Sequence, residues 1–161
     1  MTAQATLVVI KPEAIQRGLA GAVLSKLEAL RLQIISAKVV HVTREMAEAH
    51  YQALRGKPFF DELLDHIQGK LHGVDAVLAF VFWGEEAIAR VRDAAGATHP
   101  EKADPHSIRG SLGRMTTTGL MENIVHASSN AAEAEREIRL WFRPEELVRP
   151  PSPGPMVGRR A

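Results

Sequence analysis

The stretch Val74-Asp75-Ala76-Val77-Leu78-Ala79-Phe80-Val81-Phe82-Trp83 decides the fold. From Ala76 onward it carries no charge, and its β-branched and aromatic residues fall on both alternating faces. A strand apolar on both faces takes a central place in a sheet. Downstream of it, Glu85–Ala95 has helical spacing, with Ile88 and Val91 facing inward and Gly96 where a C-terminal cap belongs. Immediately upstream, Gly69–Asp75 reads as a polar loop. Two further strands lie nearer the N-terminus. Thr6–Ile10 is β-rich and is ended by Lys11-Pro12. Gln33–Thr43 alternates, so that Ile35, Ala37 and Val39 point one way and Ser36 and Lys38 the other.

Between these two strands Ala20, Val23, Leu24, Leu27 and Leu30 share one helical face. Thr43 is placed to cap a helix from Arg44 to about Leu54. Gly56-Lys57-Pro58 then breaks the chain, and a second helix runs from Phe59 to about Ile67. Ala97–Glu122 has no clean period and reads as one long ordered loop, a feature usually tied to function. Asn123–His126 is a short strand, and Asn130 with Glu133 forms a capping pair that opens a helix ending near Trp141-Phe142. This order predicts an α/β (α+β) sandwich of the ferredoxin-like kind, a four-stranded antiparallel sheet with helices packed over one face. The domain covers 1–147. Four of the nine prolines fall between Pro150 and Pro155, so 148–161 reads as a flexible or surface-draped tail.

A chain of 161 residues with 45 % hydrophobic and 24 % charged residues fits one domain with its own core. It has no cysteine, which excludes disulfides, thiolate metal sites and cysteine nucleophiles and fits a reducing compartment. The net charge of +1 is too small for a general nucleic-acid coat, so anion binding must come from a local cluster. No run approaches the ~20 apolar residues of a spanning helix, and the N-terminus lacks a signal-peptide pattern. The expectation is a soluble, cytoplasmic protein. P-loop, dinucleotide-binding, H-E-x-x-H and G-x-S-x-G patterns are all missing, and the seven histidines show no metal-ligand spacing.

The chemistry concentrates in and around the long loop. Arg92 precedes it, Thr98 and Arg109 lie within it, and two guanidinium forks with a hydroxyl can hold a polyphosphate. Either arginine taken alone reads as a surface ion-pair residue. His126 ends a strand ahead of a helix N-terminus, where an imidazole can serve as nucleophile towards phosphorus or simply as a packing or capping residue.

Together, these segments resemble the nucleoside diphosphate kinase family over roughly Thr6 to Phe142. The resemblance is carried by Val9-Ile10-Lys11-Pro12-Glu13-Ala14-Ile15-Gln16-Arg17-Gly18-Leu19, by His50-Tyr51 with Lys57-Pro58-Phe59-Phe60, by Gly96-Ala97-Thr98-His99-Pro100 and Ile108-Arg109-Gly110, and by Asn123-Ile124-Val125-His126-Ala127-Ser128. It implies ping-pong transfer of a γ-phosphate through a phosphohistidine. His126 would be the nucleophile and Glu137 would orient its ring. Lys11, Arg92, Arg109 and Thr98 would hold the phosphates, and Asn123 with Lys11 the sugar hydroxyls. Phe59 would stack on the base, and Tyr51 would sit beside the histidine. Read alone, Phe59 is a core residue and Tyr51 a half-buried amphipathic one.

The resemblance also implies Mg2+ held mainly by substrate phosphates, with no direct protein ligand, and a homo-oligomer: a hexamer, tetramer or dimer. Ser129 stands where the family has Asp, Ala127 where it has Gly, Gly110-Ser111 where it has Gly-Asp, and His106 where a Gly is usual. Two stretches are longer than the family's, near Gly69–Asp75 and between Gly113 and Glu122. Two other readings are weighed beside the kinase. One is a nucleotide-binding relative with little turnover. The other is a sheet that binds single-stranded RNA, which needs exposed aromatics that a 5 % aromatic content hardly supplies.

Overall fold

The computed structural model describes residues 2–151. Along the chain lie β1 (Ala3–Ile10), α1 (Pro12–Gln16), α2 (Ala20–Glu28), β2 (Gln33–Val40), α3 (Arg44–His50), α4 (Phe60–Ile67), β3 (Val77–Glu85) and α5 (Ala87–Ala95). Then come α6 (Ile108–Leu112), a hairpin of β4 (Arg114–Met115) and β5 (Met121–Glu122), β6 (Val125–Ala127) and α7 (Ala131–Trp141). The main sheet has four strands in the order β2-β3-β1-β6, all antiparallel. The ferredoxin-like expectation and the central place of β3 therefore hold.

Helices cover both faces of that sheet, not one. Leu7 and Val9 of β1, with Ala79 and Val81 of β3, pack against Ala47, Leu64, Ile138 and Trp141 from α3, α4 and α7. Their neighbours Val8, Ile10, Phe80 and Phe82 pack against Val23, Leu27, Val91 and Ile108 from α2, α5 and α6. Two strands with unbroken apolar runs leave no other solution. The open face that RNA stacking requires is thereby removed.

Several local expectations change. β2 carries an irregularity between Ile34 and Ser36. Such a bulge reverses the facing beyond it, so Ile35 is buried while Ala37 and Val39 are exposed. The helix beginning at Arg44, capped by Thr43 Oγ1 accepting from Met46 N (3.2 Å), ends at His50 and gives way to a 3-10 turn, Gln52–Leu54. The long loop is partly regular, because Ser107 Oγ accepts from Gly110 N (3.0 Å) and starts α6. α1, opened by Pro12, has no signature in the sequence pattern. Val148 N donates to Ile35 O (3.0 Å). The stretch 148–161 otherwise lies largely outside the described residues. Among those residues no helix is long and apolar enough to cross a membrane.

Candidate active site

β1 ends at the site, and α1 begins there. Lys11, at the α1 N-cap, is buried and donates from Nζ to Asn123 Oδ1 (2.7 Å). Its backbone N donates to Ile124 O (2.9 Å), while Ile124 N donates to Glu13 Oε1 (3.0 Å). Ile124 has φ +74, a conformation costly for a β-branched residue. Gripping its peptide from both sides is what sustains it. The gripped peptide sits between Asn123 and β6, which carries His126.

His126 stands in front of α7. Its Nε2 lies 3.0 Å from Glu137 Oε2, close but not aligned as a full hydrogen bond. Glu137 Oε2 accepts an aligned bond from Ser128 Oγ (2.6 Å). Burial would raise the Glu137 carboxyl, but His126, Ser128 and Arg136 outweigh it and hold it below the usual range. α7 is fixed by Asn130 Oδ1, which accepts from Glu133 N (2.9 Å). Behind His126, the His50 ring meets it edge to face, centroids 4.3 Å apart. His50 Nδ1 accepts from Trp141 Nε1 (3.0 Å). Burial, with the charges of His126, Arg136 and Lys11, pushes His50 down to about 2, so it stays neutral.

A cleft of about 440 Å³ opens in front of His126, lined by Lys11, Tyr51, Phe59, Arg92, Thr98, Arg109 and Asn123. Glu137 is the one expected site residue behind the lining rather than in it. Arg109 donates from Nη1 to Gly96 O and from Nη2 to Val125 O, both at 2.9 Å. Burial and the charge of Arg92 lower it to about 10, still cationic at neutral pH. Among the described residues neither arginine joins an ion pair, nor does Lys11. The surface ion-pair reading of the arginines therefore fails. Asn123 bridges Lys11 and Thr98, its Nδ2 donating to Thr98 O (3.1 Å).

Phe59 is half exposed at the cleft mouth rather than in the core. Tyr51 sits edge-on to His50, and burial raises its hydroxyl above the ordinary value.

Sequence reasoning did not assign His50, Ser128, Glu13 or the apolar wall of Leu54, Leu63, Leu120 and Met121. The only signal for His50 was its place beside Tyr51. The cleft lining holds one carboxylate, Glu62, against three cationic heads. That donor set suits a polyanion, and it fits a divalent cation arriving with the polyanion rather than one caged by carboxylates.

A family model described as nucleoside diphosphate kinase matches residues 4–147. A nucleoside diphosphate kinase of Pyrococcus furiosus is 43 % identical over 142 residues, covering 88 % of this chain and 84 % of its own. That of Archaeoglobus fulgidus is 43 % identical over 143 residues, covering 89 % of each. Among solved structures, a transition-state mimic of the Borrelia burgdorferi nucleoside-diphosphate kinase with bound vanadate and ADP superposes with a TM-score of 0.83 at 33 % identity, covering 92 % of each chain. The Halobacterium salinarum enzyme in complex with CDP gives 0.81 at 36 % identity, covering 91 % of each.

Proposed function

The chain belongs to the nucleoside diphosphate kinase family and moves the terminal phosphate of a nucleoside triphosphate onto a nucleoside diphosphate; on that premise we propose that His126 carries the phosphoryl group between the two half-reactions. With Nε2 turned to Glu137, the lone pair on Nδ1 is left to attack the γ-phosphorus. The bond from phosphorus to the β-bridging oxygen breaks as the P–N bond forms, and the diphosphate leaves. A second diphosphate then attacks through its terminal oxygen, and the P–N bond breaks.

Glu137 stabilises the positive charge that the ring gains on phosphorylation. Lys11, Arg92, Arg109 and the Thr98 hydroxyl hold the phosphate oxygens, where positioning and charge account for most of the rate. Lys11 and Asn123 reach the sugar hydroxyls, Phe59 stacks on the base, and Tyr51 borders the transferred group. Stacking ignores base identity, which suits a broad substrate range. Mg2+ would offset the negative charge of the substrate, and with Ser129 in place of an Asp it would be held mainly by the nucleotide's phosphates. The exposed Ile34 and Val39 on edge strand β2 support a homo-oligomer, and the lack of cysteine supports a cytoplasmic setting.

One observation carries the reading: His126 faces a cleft whose cations have no ion-pair partner among the described residues, with a buried carboxylate at its back. Brief incubation with γ-labelled ATP and magnesium is expected to leave acid-labile label on the wild type. That label should pass to added GDP, and His126→Ala should take up none. A folded, ATP-binding wild type without label would overturn the assignment.

A further inference from the structure

Apart from the phosphoryl-transfer residues, a second group of ligating side chains sits behind the cleft wall. Glu13, His66 and His72 are 0, 4 and 6 % exposed. One ligand atom of each lies within 4.8 Å of the other two. They come from separate pieces of chain: α1, the last turn of α4, and the loop after it. That loop closes on Gly69, φ +81, where a Cβ would sit 1.4 Å from Val74 O. Gln16 Nε2 then ties the loop to α1 by donating to His72 O (2.8 Å).

The hydrogen bonds define which atoms are free. His66 Nε2 donates to Glu13 Oε2 (2.7 Å). His72 Nε2 lies 3.1 Å from Glu122 Oε1, and Glu122 is held in turn by Arg114 Nε (2.6 Å) and Arg17 Nη1 (3.5 Å). A carboxylate at Nε2 keeps the proton there and leaves a bare lone pair on Nδ1. That Nδ1 is buried and has no partner among the described residues, which is costly unless a donor or a cation engages its lone pair. An imidazole tied through one nitrogen to a carboxylate, with the other nitrogen free, is the usual state of a metal-binding histidine.

We propose that Glu13, His66 and His72 form a site for a zinc-class divalent cation, bound through Glu13 Oε2, His66 Nε2 and His72 Nδ1. Two imidazoles and one carboxylate suit Zn2+ or Co2+, whereas Mg2+ selects oxygen ligands. Metal–ligand bonds of about 2.1 Å in a tetrahedron set ligand atoms about 3.4 Å apart, within reach of this cluster by side-chain shifts. The ion takes the place of the proton between His66 and Glu13, and that proton moves to Nδ1 of the His66 ring, which stays neutral. His66 also lines the cleft, which provides a way in for the ion and a water for the fourth position. Glu13 holds Ile124 as well, so the ion stiffens the peptide that leads to His126.

The test uses the full chain after treatment with a chelator. Titration with Co2+ is expected to give intense visible ligand-field bands saturating near one ion per chain, displaced by Zn2+. His72→Gln should bind at least ~10-fold more weakly. His126→Gln should bind as the wild type does, although His50, His126 and Glu137 also stand within 4.8 Å of one another. Excess Zn2+ should raise the melting temperature of the wild type by about 5 °C and leave His72→Gln unmoved. Featureless Co2+ spectra, or binding lost in His126→Gln and kept in His72→Gln, overturn the proposal. X-ray absorption at the zinc edge of the wild type needs no variant: two imidazoles and a carboxylate are expected, and one imidazole or an all-oxygen shell refutes the site.

Discussion

A histidine that attacks phosphorus must turn one bare nitrogen to its substrate and keep the other against an acceptor. Glu137 supplies that acceptor from within a shell of Ser128 and Arg136, 3.0 Å from His126 Nε2. The charge it balances appears only as the ring takes up phosphorus, so its contribution belongs to the transition state more than to substrate binding. Glu137→Gln keeps the shape and removes the charge. Its kcat is expected to fall about 100-fold with little change in KM, read from steady-state transfer between ATP and GDP. An unchanged kcat would mean that the ring needs no anion behind it.

At the scale of elements, the same substitution should have opposite effects in two helices. Gly21 lies inside α2, and a Cβ there would meet nothing within 4 Å. Gly21→Ala should stabilise the fold by up to about 0.5 kcal/mol, since glycine is a poor helix former and this one lies in the first turn. Gly110 lies in α6 beside Arg109, and a Cβ there would sit 2.0 Å from Asp104 O. Gly110→Ala must shift α6, costing about 1–3 kcal/mol and drawing Arg109 off the cleft, with a rise in nucleotide KM. Urea unfolding and initial-rate kinetics on both variants would show whether α6 is so tightly placed.

These helices also mark the limit of what the sequence discloses. β1, β3, α2, α5 and α7 announce themselves because each buries enough residues to show a period. α1 and α6 have five residues each, too few for one. The facing of β2 is reversed by a bulge that no side-chain pattern encodes. The cleft residues could be named through resemblance because their motifs are short and fixed in order. Glu13 and His50 lie inside such motifs without an assigned role, and His66 lies outside them. Their roles come from partners far along the chain, as when Glu13 meets His66 and Ile124.

The whole molecule closes around His50. It is buried between the His126 ring and the Trp141 N–H. Arg136 of α7 donates to Ala49 O (2.9 Å) and His50 O (3.1 Å), tying α3 to α7 across one face of the sheet. This histidine cannot take up a proton without loosening that face, and its value in the fold stands at about 2 against an ordinary 6.5. The unfolded chain protonates it freely below about pH 6.5. Below that pH the unfolded state therefore binds one proton more than the folded state, and stability rises with pH through the window and is lost as pH falls. One proton corresponds to about 1.4 kcal/mol per pH unit, so His50 alone should lower stability by about 2 kcal/mol between pH 6.5 and 5. His50→Gln can still accept from Trp141 and has nothing to titrate. Urea unfolding of both proteins at pH 8, 6.5 and 5 should show the gap between them narrowing as acid is added, because only the wild type loses this term. A gap that stays constant with pH would mean that His50 is not the group through which acid opens the fold.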